Sequence, residues 1–221
     1  MTGKGVIFDM DGVLVDSYRA HFEAWRRMGA ERGLELTEPQ FAATFGRTTR
    51  DIIQAVWAGQ FADDEIPPRD ARKEAHYREI IAADFPEMDG AGDLLAALRD
   101  AGATMAIGSS GPPENVAVVL KYLPHADSII ATVTGAEVTH GKPEPEVFLT
   151  AAEKMGIPPA RCAVVEDAPA GVEAARRAGM AAIAITGTAP RDMLARRAHL
   201  VVDSLRELTP LILANLIDAH A

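Results

Sequence analysis

The stretch Lys4-Gly5-Val6-Ile7-Phe8-Asp9-Met10-Asp11-Gly12 decides the fold. Residues 5–8 form a short uncharged run with no polar alternation, the habit of a parallel strand buried on both faces. The run stops abruptly at two aspartates and a glycine. In open parallel sheets, the groups just beyond the carboxyl ends of the strands face the ligand crevice. Working outward, the same kind of run recurs at 104–107, 128–133, 162–165, 181–185 and, more weakly, 200–202. The second run ends at Gly108-Ser109-Ser110-Gly111, the fourth at Glu166-Asp167, and the fifth at Thr186-Gly187.

Helical patterns separate these runs. Residues 91–101 read as a helix stopped by Gly102, and 171–178 as one stopped by Gly179. Residues 113–123 and 145–155 each open on a proline, which suits a first helical turn. Strand and helix in alternation predict an α/β fold, a Rossmann-like parallel sheet with crossover helices. Residues 16–87 break the alternation. They show helical patterns at 17–32, 38–45, 50–60 and 69–84, with loops near Gly33-Leu34-Glu35 and Ile66-Pro67-Pro68. The expected organisation is therefore a core of residues 1–15 and 88–221 with a helical cap inserted at 16–87. Trp25 and Trp57 read as the core of that insertion.

The chain has 221 residues, a net charge of -10 and 48% hydrophobic residues, enough for a packed core and without a basic footprint for nucleic acid. No run reaches the ~18 apolar residues of a membrane span, and no segment reads as a signal peptide. The single cysteine, Cys162, rules out an intramolecular disulfide and reads as a small buried hydrophobe. The expectation is a soluble cytoplasmic protein. The sequence does not fix an oligomeric state, and a monomer is compatible with it.

Four strand ends or their following loops bring chemistry: Asp9 and Asp11, Ser109 and Ser110, Lys142 in Gly141-Lys142-Pro143, and Glu166 with Asp167. Crowded carboxylates repel unless a cation sits among them, and an oxygen-only set without His or Cys favours Mg²⁺. Lys142 and the Ser109 hydroxyl are suited to phosphate oxygens. An aspartate can attack phosphorus to form an aspartyl-phosphate, and a second carboxyl two residues on can serve as acid and base.

At this point the chain resembles the haloacid dehalogenase (HAD) superfamily. Asp9-Met10-Asp11-Gly12-Val13-Leu14-Val15-Asp16-Ser17 looks like its first motif and Gly108-Ser109-Ser110 its second. Gly141-Lys142-Pro143-Glu144-Pro145 looks like its third, and Val165-Glu166-Asp167-Ala168 with Ala170-Gly171 its fourth. The resemblance implies a nucleophile at Asp9 and a general acid/base at Asp11. It implies phosphoryl contacts from Ser109, Ser110 and Lys142. It also implies a Mg²⁺ site made by Asp9, the Asp11 carbonyl, Glu166 and Asp167. An aspartate at position 11 separates the chain from the dehalogenase branch and points to phosphoryl transfer.

The insertion after the first motif matches the subgroup that holds phosphoglycolate phosphatase-like enzymes, sugar-phosphate phosphatases and β-phosphoglucomutase. His21 and Trp25 resemble the start of the mutase cap, where the His position links cap closure to the acid/base. Thr49 stands where an ungapped match places the mutase arginine, with Arg47 and Arg50 as possible substitutes. The segment after Ser109 lacks the mutase lysine. The expected reaction is Mg²⁺-dependent hydrolysis of a small phosphorylated metabolite, a sugar phosphate or a phosphoglycolate-like ester. The cap would close over the substrate and select the leaving group. A phosphosugar mutase is the alternative, and a catalytically idle binding protein of the same fold a remote one.

Overall fold

The computed structural model describes residues 1–220. The chain divides into two compact units, Met1–Asp16 with Phe85–Ala221, and Ser17–Asp84. In chain order, β1 (Gly5–Phe8) precedes four helices, α1 (Tyr18–Ala30), α2 (Glu38–Ala42), α3 (Thr49–Val56) and α4 (Ile66–Ala83). Then come α5 (Ala91–Asp100), β2 (Thr104–Gly108), α6 (Pro113–Tyr122), β3 (Ile129–Val133) and α7 (Glu146–Met155). The chain continues through β4 (Cys162–Glu166), α8 (Pro169–Arg177), β5 (Ala181–Ile185), α9 (Arg191–Ala195), β6 (Leu200–Val202) and α10 (Pro210–His220).

The six strands form one parallel sheet in the order β3-β2-β1-β4-β5-β6. This is the Rossmann-like α/β core read from the sequence. The strand order runs outward from β1 on one side through β2 and β3, then restarts on the other side with β4, β5 and β6. The switch point therefore lies between β1 and β4, where a ligand crevice is expected. β1, β4 and β5 are buried along their whole length, which explains their unbroken apolar character. Phe8 pairs with Ile107 on one side and Val165 on the other, so Asp9, just past β1, falls in one row with Gly108 and Glu166 at the ends of their strands. Beyond the row the ladder extends by Asp9 N–H to Val165 O and Ser109 N–H to Val133 O, each 2.9 Å.

Three local readings change. Ile66-Pro67-Pro68 is not a loop but the first turn of α4, where a proline lacks only an N–H that would have no helical partner. β3 is an edge strand and Ile130 on it is 63% exposed, whereas its apolar run had suggested full burial. Lys154 Nζ donates to Thr132 O at 2.8 Å and so occupies part of that edge. α9 and α10 were not anticipated. α10 reads Pro-Leu-Ile-Leu-Ala-Asn-Leu-Ile, too uniformly apolar to show a helical stripe.

The helical unit has its own core, in which Trp25, Met28, Phe41, Ile53 and Trp57 are buried together. Phe41 packs against Tyr18, Phe22 and Phe45 with ring centroids 5.2–5.5 Å apart. Trp57 Nε1 donates to Glu35 O at 2.8 Å, which pairs its one polar atom. Among the described residues no helix is long and apolar enough to cross a membrane. Phe41→Ala is expected to destabilise the helical unit by about 3–5 kcal/mol, read as a lower denaturant midpoint. A midpoint equal to that of the unaltered protein would contradict this packing.

Candidate active site

The row at the switch point gathers most of the residues singled out in the sequence. Asp9 follows β1 and is buried; Glu166 ends β4, Asp167 follows it, and both are buried. One carboxylate oxygen from each of the three lies within 4.8 Å of the others. Lys142 reaches in from the loop after β3. Its Nζ lies 2.6 Å from Asp9 Oδ1, 2.8 Å from Glu166 Oε1 and 3.3 Å from Gly108 O. An ammonium has three protons, so all three already have protein acceptors. To hold a phosphate oxygen, Lys142 must redirect at least one of them. Its ammonium also sits 4.8 Å from the centroid of the Phe148 ring, a cation–π contact that adds to its placement.

Glu166 is fixed on both oxygens. Oε2 accepts the Ala168 N–H at 2.6 Å, at the start of α8, where the helix dipole favours an anion. The chain makes room for it at Gly171, where an added Cβ would lie 1.7 Å from Glu166 Oε1. Asp167 is enclosed in the same way. A Cβ on Gly12 would lie 2.1 Å from Asp167 Oδ2, and Gly12 also has φ +77°, a conformation that L side chains rarely adopt. The Thr188 hydroxyl donates to that same Oδ2.

The phosphate-side candidates are arranged differently. Ser109 is buried, and its Oγ accepts the Gly111 N–H at 3.0 Å, leaving its own proton to donate. Ser110 is exposed in the loop to α6, with its carbonyl close against Gly135. Asp11 is half-buried and near enough for its charge to act on Asp9.

Charge and burial oppose each other here. Burial pushes the Asp9 carboxyl up to about 7 against the pull of Lys142, and the Glu166 and Asp11 charges add to the rise. Asp167 is also held well above its ordinary value, by burial and then by the charges of Glu166 and Asp9. Burial works against the charge on Lys142, but Asp9 and Glu166 outweigh it and raise its affinity for the proton. Three buried carboxylates with one ammonium leave an excess of negative charge that a hard divalent cation would relieve. The all-oxygen donor set fits Mg²⁺, with Asp9, Glu166 and Asp167 as the residues that would hold it.

His21, Arg47 and Arg50 belong to the helical unit, Ser17–Asp84. His21 on α1 stacks on Tyr77, with ring centroids 4.3 Å apart. Its Nδ1 lies 2.9 Å from Lys73 Nζ, which also bonds Glu74 Oε1 at 2.7 Å. With the Lys73 ammonium as donor, Nδ1 is the acceptor and the ring proton sits on Nε2. Arg50 is exposed and bound to Asp63 at 2.5 Å, and Arg47 is exposed just before α3. Thr49, in the place of the mutase arginine, donates to Asp70. Lys73 and Thr188 carry no signal in the sequence that marks them as functional. Lys73 sits within a charged run, Arg69 to Glu74, that resembles any solvated helix face, and only its burial sets it apart.

A parallel α/β core with a buried acid cluster, a lysine and a serine at its switch point has the makings of an enzyme acting through a carboxylate. The chain belongs to the haloacid dehalogenase-like hydrolase family, whose model matches residues 4–179. The resemblance read from the four motifs is thus borne out. The chain is 34% identical to hexitol phosphatase A of Escherichia coli, over 95% of this chain and 94% of that protein. It is 32% identical to β-phosphoglucomutase of Bacillus subtilis, over 93% and 92%. Among solved structures, a HAD hydrolase of family IA, variant 3, from Entamoeba histolytica superposes with a TM-score of 0.87 at 26% identity, over 97% and 99% of the two chains.

Two outcomes check this geometry. In the metal-free protein the Asp9 carboxyl lies above the ordinary 3.8, at about 7. Its contribution to stability is therefore full below the ordinary value and lost as pH rises through about 7. A cation that binds the ionised form should raise the melting temperature more at about pH 8 than at about pH 5.5. Equal rises at the two pH values would contradict it. Second, Gly→Ala within a helix ordinarily stabilises by about 0.5–1 kcal/mol. Gly171→Ala should instead lower the melting temperature, because its methyl group meets Glu166; a rise would contradict the close approach.

Proposed function

We propose that the protein is a Mg²⁺-dependent phosphatase that hydrolyses a small phosphomonoester, a sugar phosphate or phosphoglycolate-like ester, through an aspartyl-phosphate on Asp9. The observation that supports this most is the convergence of Asp9, Lys142, Glu166 and Asp167 at the switch point. In this reading the α/β unit is the catalytic core and the helical unit its cap.

An Asp9 oxygen attacks phosphorus, and the bond from phosphorus to the leaving oxygen breaks. The Asp11 carboxyl gives its proton to that oxygen. A water then attacks phosphorus and passes a proton back to Asp11, and Asp9 leaves as its carboxylate. Lys142 turns part of its hydrogen bonding from Asp9 and Glu166 to the phosphoryl oxygens, and Ser109 donates its free hydroxyl proton to another. Ser110 contributes at the same loop. When bound, Mg²⁺ neutralises charge on the phosphoryl group and keeps Asp9 ionised. His21, Arg47 and Arg50 are the candidates for recognising the rest of the substrate. A cytoplasmic setting belongs to the same proposal.

A phosphosugar mutase is the second reading, favoured by the 32% identity to the Bacillus subtilis β-phosphoglucomutase. The tie of Thr49 to Asp70, where the mutase carries an arginine for a second phosphate, supports the phosphatase. A panel of phosphomonoesters, assayed with Mg²⁺ and with a chelator, tests both. Phosphate release that needs Mg²⁺ and falls at least about 10³-fold in Asp9→Asn is expected. Isomerisation of β-glucose 1-phosphate with a bisphosphate activator, without net phosphate release, would overturn the phosphatase. Full activity in Asp9→Asn would overturn the nucleophile.

A further inference from the structure

We propose that Thr188, in the loop after β5, is a positioning residue for the cation site and sets the orientation of the Asp167 carboxylate through its hydroxyl. The inference rests on the reading above that Asp9, Glu166 and Asp167 hold a divalent cation.

A carboxylate at the end of a short side chain has two equivalent oxygens and a soft terminal torsion. To act as a metal ligand it needs one orientation set in advance, and groups behind the ligand commonly do this. Glu166 has such support on both oxygens, from Lys142 and from Ala168 N–H. Asp167 has it on Oδ2. The Thr188 hydroxyl donates to Oδ2 from one strand away, and the bare Cα of Gly12 closes on the same atom.

The loop that presents Thr188 is itself tied down. Thr186 Oγ1 donates to Asp203 Oδ1 at 2.8 Å, and Arg191 holds Asp203 at 2.9 Å and Val201 O at 3.1 Å. Residues 186–191 are thereby anchored to the end of β6. Thr188 itself is exposed, so nothing in the core requires a threonine there. Its one described polar contact is the one to Asp167.

The test is titration calorimetry of the chelator-treated protein with Mg²⁺ and with Mn²⁺. Thr188→Val keeps the shape and removes the hydroxyl; Thr188→Ser keeps the hydroxyl. Thr188→Val is expected to bind either ion about 10–100-fold more weakly, and Thr188→Ser to stay within about threefold of the unaltered protein. Thr188→Val binding as tightly as the unaltered protein overturns the proposal for Thr188 alone. A loss in Thr188→Ser equal to that in Thr188→Val also overturns it, since the hydroxyl would then not be the cause. No saturable binding by the unaltered protein overturns the cation site and Thr188 with it.

Discussion

Three carboxylates and one ammonium share a buried row at the carboxyl ends of β1 and β4, and the imbalance of charge among them is the constraint on which the rest depends. Lys142 meets two of the three carboxylates directly. Burial and the neighbouring carboxylates still push Asp9 up to about 7 and hold Asp167 well above its ordinary value. A buried charge left without a partner costs several kcal/mol by order of magnitude, so the protein carries an unmet demand for positive charge. The demand sits at the switch point between the paired strands β1 and β4, where the strand order reverses and a ligand crevice is expected. A hard divalent cation would meet that demand.

The scaffold serves that row by bringing backbone close. The parallel register aligns Asp9, Gly108 and Glu166, so residues distant in sequence meet without long side chains. Glycines stand where the site's side chains need room: Gly12 against Asp167, Gly171 against Glu166, and Gly108 against Phe148, whose ring supports Lys142. The helical unit is stabilised separately, by an aromatic core around Phe41 and the two tryptophans. In that unit the buried Lys73 is held beside the rings of Trp25 and Tyr77 and bonds the half-buried His21.

Much of this was legible because burial on both faces writes an unmistakable pattern. β1, β4 and β5 appear as unbroken apolar runs, and each stops where the chemistry begins. The rest was hidden for physical reasons. Pro67 and Pro68 look like breakers, yet an N–H in the first turn of a helix has no helical partner, so a proline there loses no bond. The run of β3 does not say which strand lies at the edge. α10 is apolar all round and shows no stripe. Thr188 in Thr186-Gly187-Thr188 reads as an ordinary turn, and only the fold brings it to Asp167. Lys142 reads as a phosphate ligand rather than as the partner of Asp9 and Glu166, because those residues lie 133 and 24 positions from it in the chain.

The claim that Asp9 is the nucleophile has a direct measurement: rapid acid quenching during turnover of a sugar phosphate with Mg²⁺, followed by peptide mass spectrometry. The expected result is one phosphoryl group on the peptide that carries Asp9, absent from Asp9→Asn and from protein treated with a chelator. Sustained phosphate release with the label on another residue would contradict it.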